Sequence, residues 1–479
     1  VFTEKKTLSI NPARPGEVIG RVSSASKEDA EKAVEEAKKA KRLWGKTSAD
    51  ERAKYLFRAA AEMRKRRFLL TALEVYETGK TIMEADSDVT EAIDYLEYYG
   101  RQMIELGKPR RLGRYPGELN EYFYEPKGIG AVISPWNFPL AIPTGMASAA
   151  IVAGNCAILK PSGLSPVIAW QLVAIFKAVG LPPGVLQFLP GPGADVGEYL
   201  VSHPEIDFIA FTGSKEVGLG IMKRAAEVRP GQRNVKRIIA ELGGKNAIII
   251  DDSADPDEAV KGVLESALGY QGQKCSACSR VIVLPDAYEE FHERLAEAIK
   301  SIEIGPPEEP STFMGPLIDQ EALKKVSGYR ERGKQEGKAL LIREARGEGY
   351  YLGPALFEVG PDASIAQEEI FGPVVSLLRA KDMDEAIALA NGTEYALTGG
   401  IYSRSPANIQ KAKKEFRVGN LYINRKITGA LVGRQPFGGF GMSGAGSKAG
   451  GPDYLLQFMN PRSVSENTLR KGMAPDRQE

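Results

Sequence analysis

Gly128-Ile-Gly-Ala-Val-Ile-Ser-Pro-Trp-Asn-Phe-Pro-Leu-Ala-Ile-Pro-Thr-Gly-Met-Ala-Ser-Ala-Ala-Ile-Val-Ala-Gly-Asn-Cys-Ala-Ile-Leu-Lys160 is the stretch on which the fold turns. Residues 128–159 carry no charge, and an uncharged run of that length raises the question of a membrane span. Pro135, Pro139, Pro143, Gly145, Gly154 and Asn155 interrupt it, so a buried strand–helix–strand unit explains it better. The pattern predicts a strand over 131–134, a helix over 143–153 and a strand over 157–160. It then repeats: helix 165–178 ending at Gly180, strand 185–189, helix 194–203, strand 206–211, and a further helix after Thr212-Gly-Ser-Lys-Glu-Val-Gly218. Such alternation means an α/β fold with a parallel sheet covered on both faces. Ligands of these sheets bind beyond the carboxyl ends of the strands.

Upstream, residues 1–25 read as short strands and turns. A helix over 27–42 is entered at Ser26 with acids in its first turn, and two long helices are predicted over 50–79 and 81–106. Residues 107–126 are aromatic and turn-rich, which fits an arm or hairpin between larger elements. Downstream, Ile238–Ile250 opens a second α/β unit, with helix 255–269, strand 280–284 and helix 287–301. Turns at 305–311 mark a surface loop, and a Gly-rich run over 433–451 precedes a charged tail.

The length of 479 residues is too great for one ordinary core and predicts two or three domains. Lys and Arg number 63 against 62 Asp and Glu, so no charge excess draws the chain to nucleic acid or a membrane surface. The cluster Lys108-Pro-Arg-Arg111 reads as a solvated loop. Three cysteines make no disulfide framework and fit a reducing compartment. Val1-Phe-Thr-Glu-Lys shows no apolar signal segment, and a cytoplasmic location is expected, or the mitochondrial matrix in a eukaryote.

Two cysteines lie in Tyr270-Gln-Gly-Gln-Lys-Cys-Ser-Ala-Cys-Ser-Arg280. Cys275 follows a flexible Gly272-Gln273 step and adjoins Lys274, a cation that would favour its thiolate. The alternative is a small core residue, and Cys278 and Cys156 read that way. Cys275 and Cys278 have the spacing of a redox pair, but no second pair or nearby histidine completes a metal site, and none is expected. The only histidines, His203 and His292, sit in no motif, which weakens a Cys–His hydrolase.

Further candidates lie where strands end. Gly213, in Phe211-Thr-Gly-Ser-Lys, could bring backbone to a phosphate at a helix N-terminus, or simply make a tight turn. Lys160-Pro-Ser162 could reach ribose hydroxyls from the same edge, or end a strand in solvent. Asn137 could offer its amide to an oxyanion, or cap its own turn. Glu241, in an apolar run before Gly243-Gly244, would have a raised pKa suited to a general base, or be a salt-bridged strand end. Glu368-Glu-Ile-Phe-Gly-Pro reads as a turn.

Taken together, Pro135-Trp-Asn-Phe-Pro, Leu159-Lys-Pro-Ser, Phe211-Thr-Gly-Ser, Glu241-Leu-Gly-Gly-Lys, Gly272-Gln-Lys-Cys-Ser-Ala, Glu369-Ile-Phe-Gly-Pro and Pro436-Phe-Gly-Gly resemble the aldehyde dehydrogenase superfamily, in order and over nearly the whole chain. The Cys275 stretch, Asn424–Gly433 and Gly450-Gly-Pro-Asp-Tyr454 are similar to the branch that oxidises Δ1-pyrroline-5-carboxylate through its open form, glutamate γ-semialdehyde. The resemblance implies a Rossmann-type dinucleotide-binding domain over 1–106 and 127–240, an α/β catalytic domain over 241–440, and a small β oligomerisation arm of 107–126 with 459–479. It implies Cys275 as nucleophile, Asn137 and the Cys275 N–H as oxyanion donors, and Glu241 as the base that activates water. Lys160, Ser162, Gly213 and Ser214 would hold the adenosine and pyrophosphate of NAD, with Glu369 and Phe371 at the nicotinamide end. Ser276, Gly429 and Ala430 would grip the substrate α-carboxylate, between the aromatic pair Phe138 and Phe437. Many members carry Glu where this chain has Gly163, so NADP stands as an alternative coenzyme. The implied partner is a second copy, in a homo-oligomer built from dimers. Another carboxylated semialdehyde such as succinic semialdehyde, a non-redox thiol esterase and a non-catalytic scaffold are the rival readings.

Overall fold

The computed structural model describes residues 3–469; the last part of the tail assigned to the arm, 470–479, lies outside the described residues. A six-stranded sheet carries the first half of the chain. Its central strand, Ile129–Ile133, is flanked in parallel by Cys156–Lys160 and Phe208–Thr212, with Leu186–Phe188 beyond one and Arg237–Glu241 beyond the other. Gly444–Ala445 closes the edge antiparallel to Arg237–Glu241. Every residue of Ile129–Ile133 is buried, because helices cover both faces. Alternate side chains feed two cores. Val132, Ala157 and Leu159 pack with the helices Ala49–Lys65, Ile82–Leu106 and Ala141–Val152. Ile129, Ala131 and Ile158 pack against Ala30, Val34 and Ala37 of the helix Lys27–Trp44. Register aligns the carboxyl ends: Ile133 pairs with Lys160 and Phe211, and Thr212 with Glu241. Motifs spread over more than a hundred residues thus arrive at one edge.

Two expectations need correction. The predicted helix 50–79 is two helices, Ala49–Lys65 and Arg67–Thr78, broken at Arg66 (φ −96°, ψ 6°). Buried positions Leu56, Ala59, Ala60 and Met63 follow a helical period, but Arg67 stands where the next apolar residue is due, and burial resumes only at Leu70. Residues 238–250 are also not one opening of a new unit. The strand Arg237–Glu241 completes the first sheet, and only Asn246–Ile250 begins the second, across the Gly243-Gly244 link. This second sheet runs 337–342, 355–359, 374–379, 278–283, 246–250, 398–402, 420–423, all parallel except its first strand.

A third sheet joins Arg110–Arg111, Glu118–Pro126 and Met459–Asn467, all antiparallel. Among the described residues no helix is long and apolar enough to cross a membrane, and no group of three or more His, Cys, Asp or Glu could hold a metal.

Buried charges position the first sheet's helices. The N-cap residues of Ala141–Val152 and Pro166–Ala178 supply no side-chain cap. Carboxylates from elsewhere take over. Asp88 Oδ1 accepts the Ala141 N–H at 2.8 Å. Glu77 accepts the N–H groups of Val167 and Ile168 at 2.9 and 2.7 Å and the Ser9 hydroxyl at 2.6 Å. Both satisfy orphan donors and lie at the positive helix end. Lys80, fully buried, pairs with Asp88 and, at 3.0 Å, with Glu74. Burial works against its charge, but Asp88 and Glu74 outweigh that and hold it protonated. Replacing Lys80 by Met leaves two buried carboxylates without a cation. The expected loss is about 3–5 kcal/mol, seen as a marked fall in the unfolding midpoint; an unchanged midpoint would contradict this role.

Candidate active site

The loop carrying Cys275 joins the turn Gly269–Gly272 to the strand Cys278–Val283. Tyr270, Gln271 and Gly272 all have left-handed backbone, at φ 52°, 57° and 68°. A Cβ on Gly272 would meet the Gly372 and Ala267 carbonyls at 2.7 and 2.9 Å, so glycine alone fits. Side-chain amides hold the rest. Gln271 donates to the Pro316 and Gly79 carbonyls at 2.6 and 3.1 Å and accepts the Gly315 N–H at 3.0 Å. Gln273 Oε1 accepts the Ile318 N–H at 3.0 Å. Asn246 Nδ2 donates to the carbonyls of Cys275 and Ala277, and the Thr398 hydroxyl to that of Ser276.

Cys275 is partly accessible, whereas Cys156 and Cys278 are core residues. Lys274 does not activate it. Its ammonium donates to both oxygens of Glu84 at 2.7 Å and is neutralised there, which corrects the reading from sequence adjacency. Burial first, then the charges of Glu369 and Glu241, push the thiol well above its usual pKa, so the resting group is a thiol. Asn137 does not cap its own turn: Nδ2 donates to the Gln273 carbonyl at 3.1 Å, which fixes the amide against the Cys275 loop.

Glu241 ends its strand with no ion pair within reach among the described residues, and its Oε2 is buried without a partner. Burial raises its pKa to about 8, against the opposing effects of Lys448 and the Gly439 amide. Glu369 is also raised by burial; its Oε1 accepts the Gly244 N–H at 2.8 Å. Phe371, itself at φ 63°, meets Trp136 edge-on with centroids 5.6 Å apart.

Two adjoining cavities run along the sheet edge. One, of about 510 Å³, is lined by Asn137, Gly213, Ser214, Cys275, Glu369 and Phe371. The other, of about 580 Å³, shares Trp136, Gly213 and Ser214 and adds Lys160, Ser162 and Gly163. Lys160 is therefore no solvent-facing strand end: it is buried, donates to the Pro161 carbonyl at 3.0 Å, and burial lowers its pKa to about 8. The Ser214 hydroxyl caps the helix Lys215–Ala225. On the far side of Cys275 a smaller cavity of about 100 Å³ is lined by Glu241, Ser276, Gly429, Ala430, Phe138 and Phe437. Cys275 faces both sides. The structure thus brings together every candidate residue, in two groups that meet at the thiol.

Sequence reasoning missed Glu91, Tyr95 and Tyr454, which also line the smaller cavity. Burial, and next the charge of Asp88, raise the Glu91 pKa to about 8. Its signal was a carboxylate at helical spacing from the buried positions Asp88 and Tyr95. Nothing in the local sequence revealed Lys80, whose ammonium lies 4.5 Å from the centre of the Phe138 ring.

The profile described as the aldehyde dehydrogenase family matches residues 2–464. A 1-pyrroline-5-carboxylate dehydrogenase of Geobacillus kaustophilus (strain HTA426) is 52% identical over 468 residues, covering 97% of this chain and 91% of the relative. The crystal structure of 1-pyrroline-5-carboxylate dehydrogenase from Thermus with bound NAD aligns with a TM-score of 0.96 at 49% identity, over 98% of this chain and 91% of that one. Proline utilization A from Bdellovibrio bacteriovorus aligns with a TM-score of 0.98 at 52% identity over 99% of this chain; the chain spans 50% of that protein's length.

The geometry predicts that iodoacetamide labels Cys275 in the folded protein and spares Cys156 and Cys278. The labelling rate should climb steadily to about pH 9 without a plateau, because only the thiolate reacts. Peptide mass spectrometry reads the site, and a plateau in the acid range would contradict the raised pKa.

Proposed function

The chain belongs to the aldehyde dehydrogenase family, and from that footing we propose that it oxidises L-glutamate γ-semialdehyde, the open form of Δ1-pyrroline-5-carboxylate, to L-glutamate with NAD, a step of proline breakdown. The observation that carries this reading is the position of Cys275, which lines both a larger and a smaller cavity.

Cys275 gives its proton to solvent water, and the resulting thiolate attacks the aldehyde carbon from the small cavity and forms a thiohemiacetal. The developing oxyanion is met by the Asn137 amide and the Cys275 N–H, donors already fixed in the folded chain. Bound NAD supplies the hydride acceptor, and loss of hydride leaves a thioester on Cys275. Glu241 takes a proton from water, which hydrolyses the thioester and releases glutamate.

The two larger cavities fit a dinucleotide. Gly213 and the helix N-terminus behind Ser214 offer backbone N–H groups to a pyrophosphate. Lys160 and Ser162 would hold the adenosine ribose, Glu369 the nicotinamide ribose and Phe371 that end of the coenzyme. No carboxylate lines the adenosine cavity near Gly163 among the described residues, so NADP enters as a second coenzyme. On the substrate side Gly429 is left-handed (φ 71°), and a Cβ there would meet Lys426 Cε at 3.8 Å. Its N–H, that of Ala430 and the Ser276 hydroxyl form a neutral cradle for the α-carboxylate. Phe138 and Phe437 flank the aliphatic part. We assign 1–106 and 127–240 to coenzyme binding and 241–440 to catalysis. The antiparallel sheet of 107–126 with the 459–467 strand is assigned to assembly with further copies of the chain; the exposed Leu112 and Tyr115 support that assignment.

NADH formation from Δ1-pyrroline-5-carboxylate, succinic semialdehyde and propanal tests the reading. The first is expected to turn over fastest, and Cys275→Ala to abolish all activity. With hydrolysis rate-limiting, the wild-type rate should fall below about pH 8 as Glu241 takes up its proton. Equal rates with propanal would overturn the substrate assignment, and activity in Cys275→Ala the nucleophile.

A further inference from the structure

The Gly-rich run near the chain end folds over Glu241. Gly444 and Ala445 pair antiparallel with Glu241 and Ala240, and the Leu242 N–H donates to the Ser443 carbonyl at 2.8 Å. The Gly438–Gly439 peptide lies between Glu241 and Lys448. A methyl group on Gly438 would meet Glu241 Oε1 at 2.8 Å and Lys448 Cα and Cγ at 3.4 Å. The carbonyl of this amide accepts from Lys448 Nζ at 2.8 Å. Its N–H, on Gly439, acts on the Glu241 carboxyl and lowers its pKa. One peptide therefore bonds to the ammonium and packs against the carboxylate.

The other donors of Lys448 Nζ go to the Gly419 carbonyl at 2.6 Å and Asn420 Oδ1 at 2.7 Å. All three acceptors are neutral, so none cancels the charge. Among the described residues the carboxylate that acts on this ammonium is Glu241, and Lys448 is the one cation that acts on Glu241. The other titratable groups that line the smaller cavity with Glu241 are Cys275, Tyr454, Tyr95 and Glu91, and none of them carries positive charge.

We propose that Lys448 is a positioning residue for the water-activating carboxylate: through the 438–439 peptide it holds Glu241 on the glycine strip and favours its carboxylate form. This rests on the assignment of Glu241 as base made above. An amide polarised at its oxygen by a cation is a stronger donor at its N–H, and a carboxylate takes the strongest such bond in its ionised form. Burial alone would drive Glu241 further towards the neutral acid, which cannot accept a proton from water.

The test is stopped-flow NADH formation across pH with glutamate semialdehyde as substrate. Lys448→Gln keeps an amide donor near the three acceptors and removes the charge. It should retain the first-turnover burst, while the acid limb of the following steady state moves up by about one pH unit, a tenfold loss of rate at fixed pH on that limb. Lys448→Arg should leave the limb near its wild-type position. Asn420→Asp, nearly isosteric, puts a carboxylate against the ammonium and should move the limb the same way. It also provides the test if Lys448→Gln folds poorly, as its melting curve would show. An unmoved limb in either folded variant, with only a uniform loss of rate, overturns the proposal. Glu241→Gln is run in parallel: hydrolysis there at the wild-type rate would remove Glu241 as the base, a failure distinct from that of Lys448.

Discussion

Holding two side chains in left-handed backbone is the constraint on which the active site depends. Tyr270 and Gln271 turn the chain so that Cys275 faces a cavity on each side. Each such residue costs roughly 1–2 kcal/mol. The three hydrogen bonds of the Gln271 amide, at about 1 kcal/mol net apiece, offset much of that. The Tyr270 hydroxyl adds a bond to the Thr78 carbonyl at 3.2 Å. Their partners come from Thr78-Gly79 and Gly315-Pro316, so the catalytic loop is tied to the end of a helix from the first half of the chain and to a loop from the second. The thiol's place is a tertiary property, set by segments far from it in sequence.

The same region concentrates buried charge. Lys80 is shared by Glu74 and Asp88 and lies against the rings of Phe138 and Tyr270. Asp88 in turn caps the helix that follows Asn137 and Phe138, and Glu77 caps the helix that follows Lys160–Ser162. Two turns that line the cavities are therefore anchored by carboxylates from a single stretch, residues 74–88. A cation paired there does more for geometry than for net stability, since burying ions costs much of what their attraction returns.

The β–α alternation over 128–218 was legible because a buried parallel strand must be apolar on both faces, and Gly and Pro mark where each one ends. Cys275, Glu241 and Asn137 were each readable in two ways locally, and the order of the motifs around them singled them out. What stayed hidden was pairing across distance. Lys274 looked like an activating neighbour of the thiol until Glu84, 190 positions away in sequence, proved to hold it. The break at Arg66 was readable in the missing apolar residue at position 67. Glu91 was readable in part, as a carboxylate on a buried helix face. Lys448 was not, because its significance lies in one glycine peptide that reaches Glu241.

The central claim is that Cys275 carries the substrate covalently between two chemically distinct sides of one cleft. Intact-protein and peptide mass spectrometry of Glu241→Gln, quenched in acid after mixing with NAD and glutamate semialdehyde, tests it most directly. The account predicts one glutamyl thioester per chain, on the peptide containing Cys275, and none without NAD. An adduct on another residue, or NADH released with no acyl group on Cys275, would contradict it.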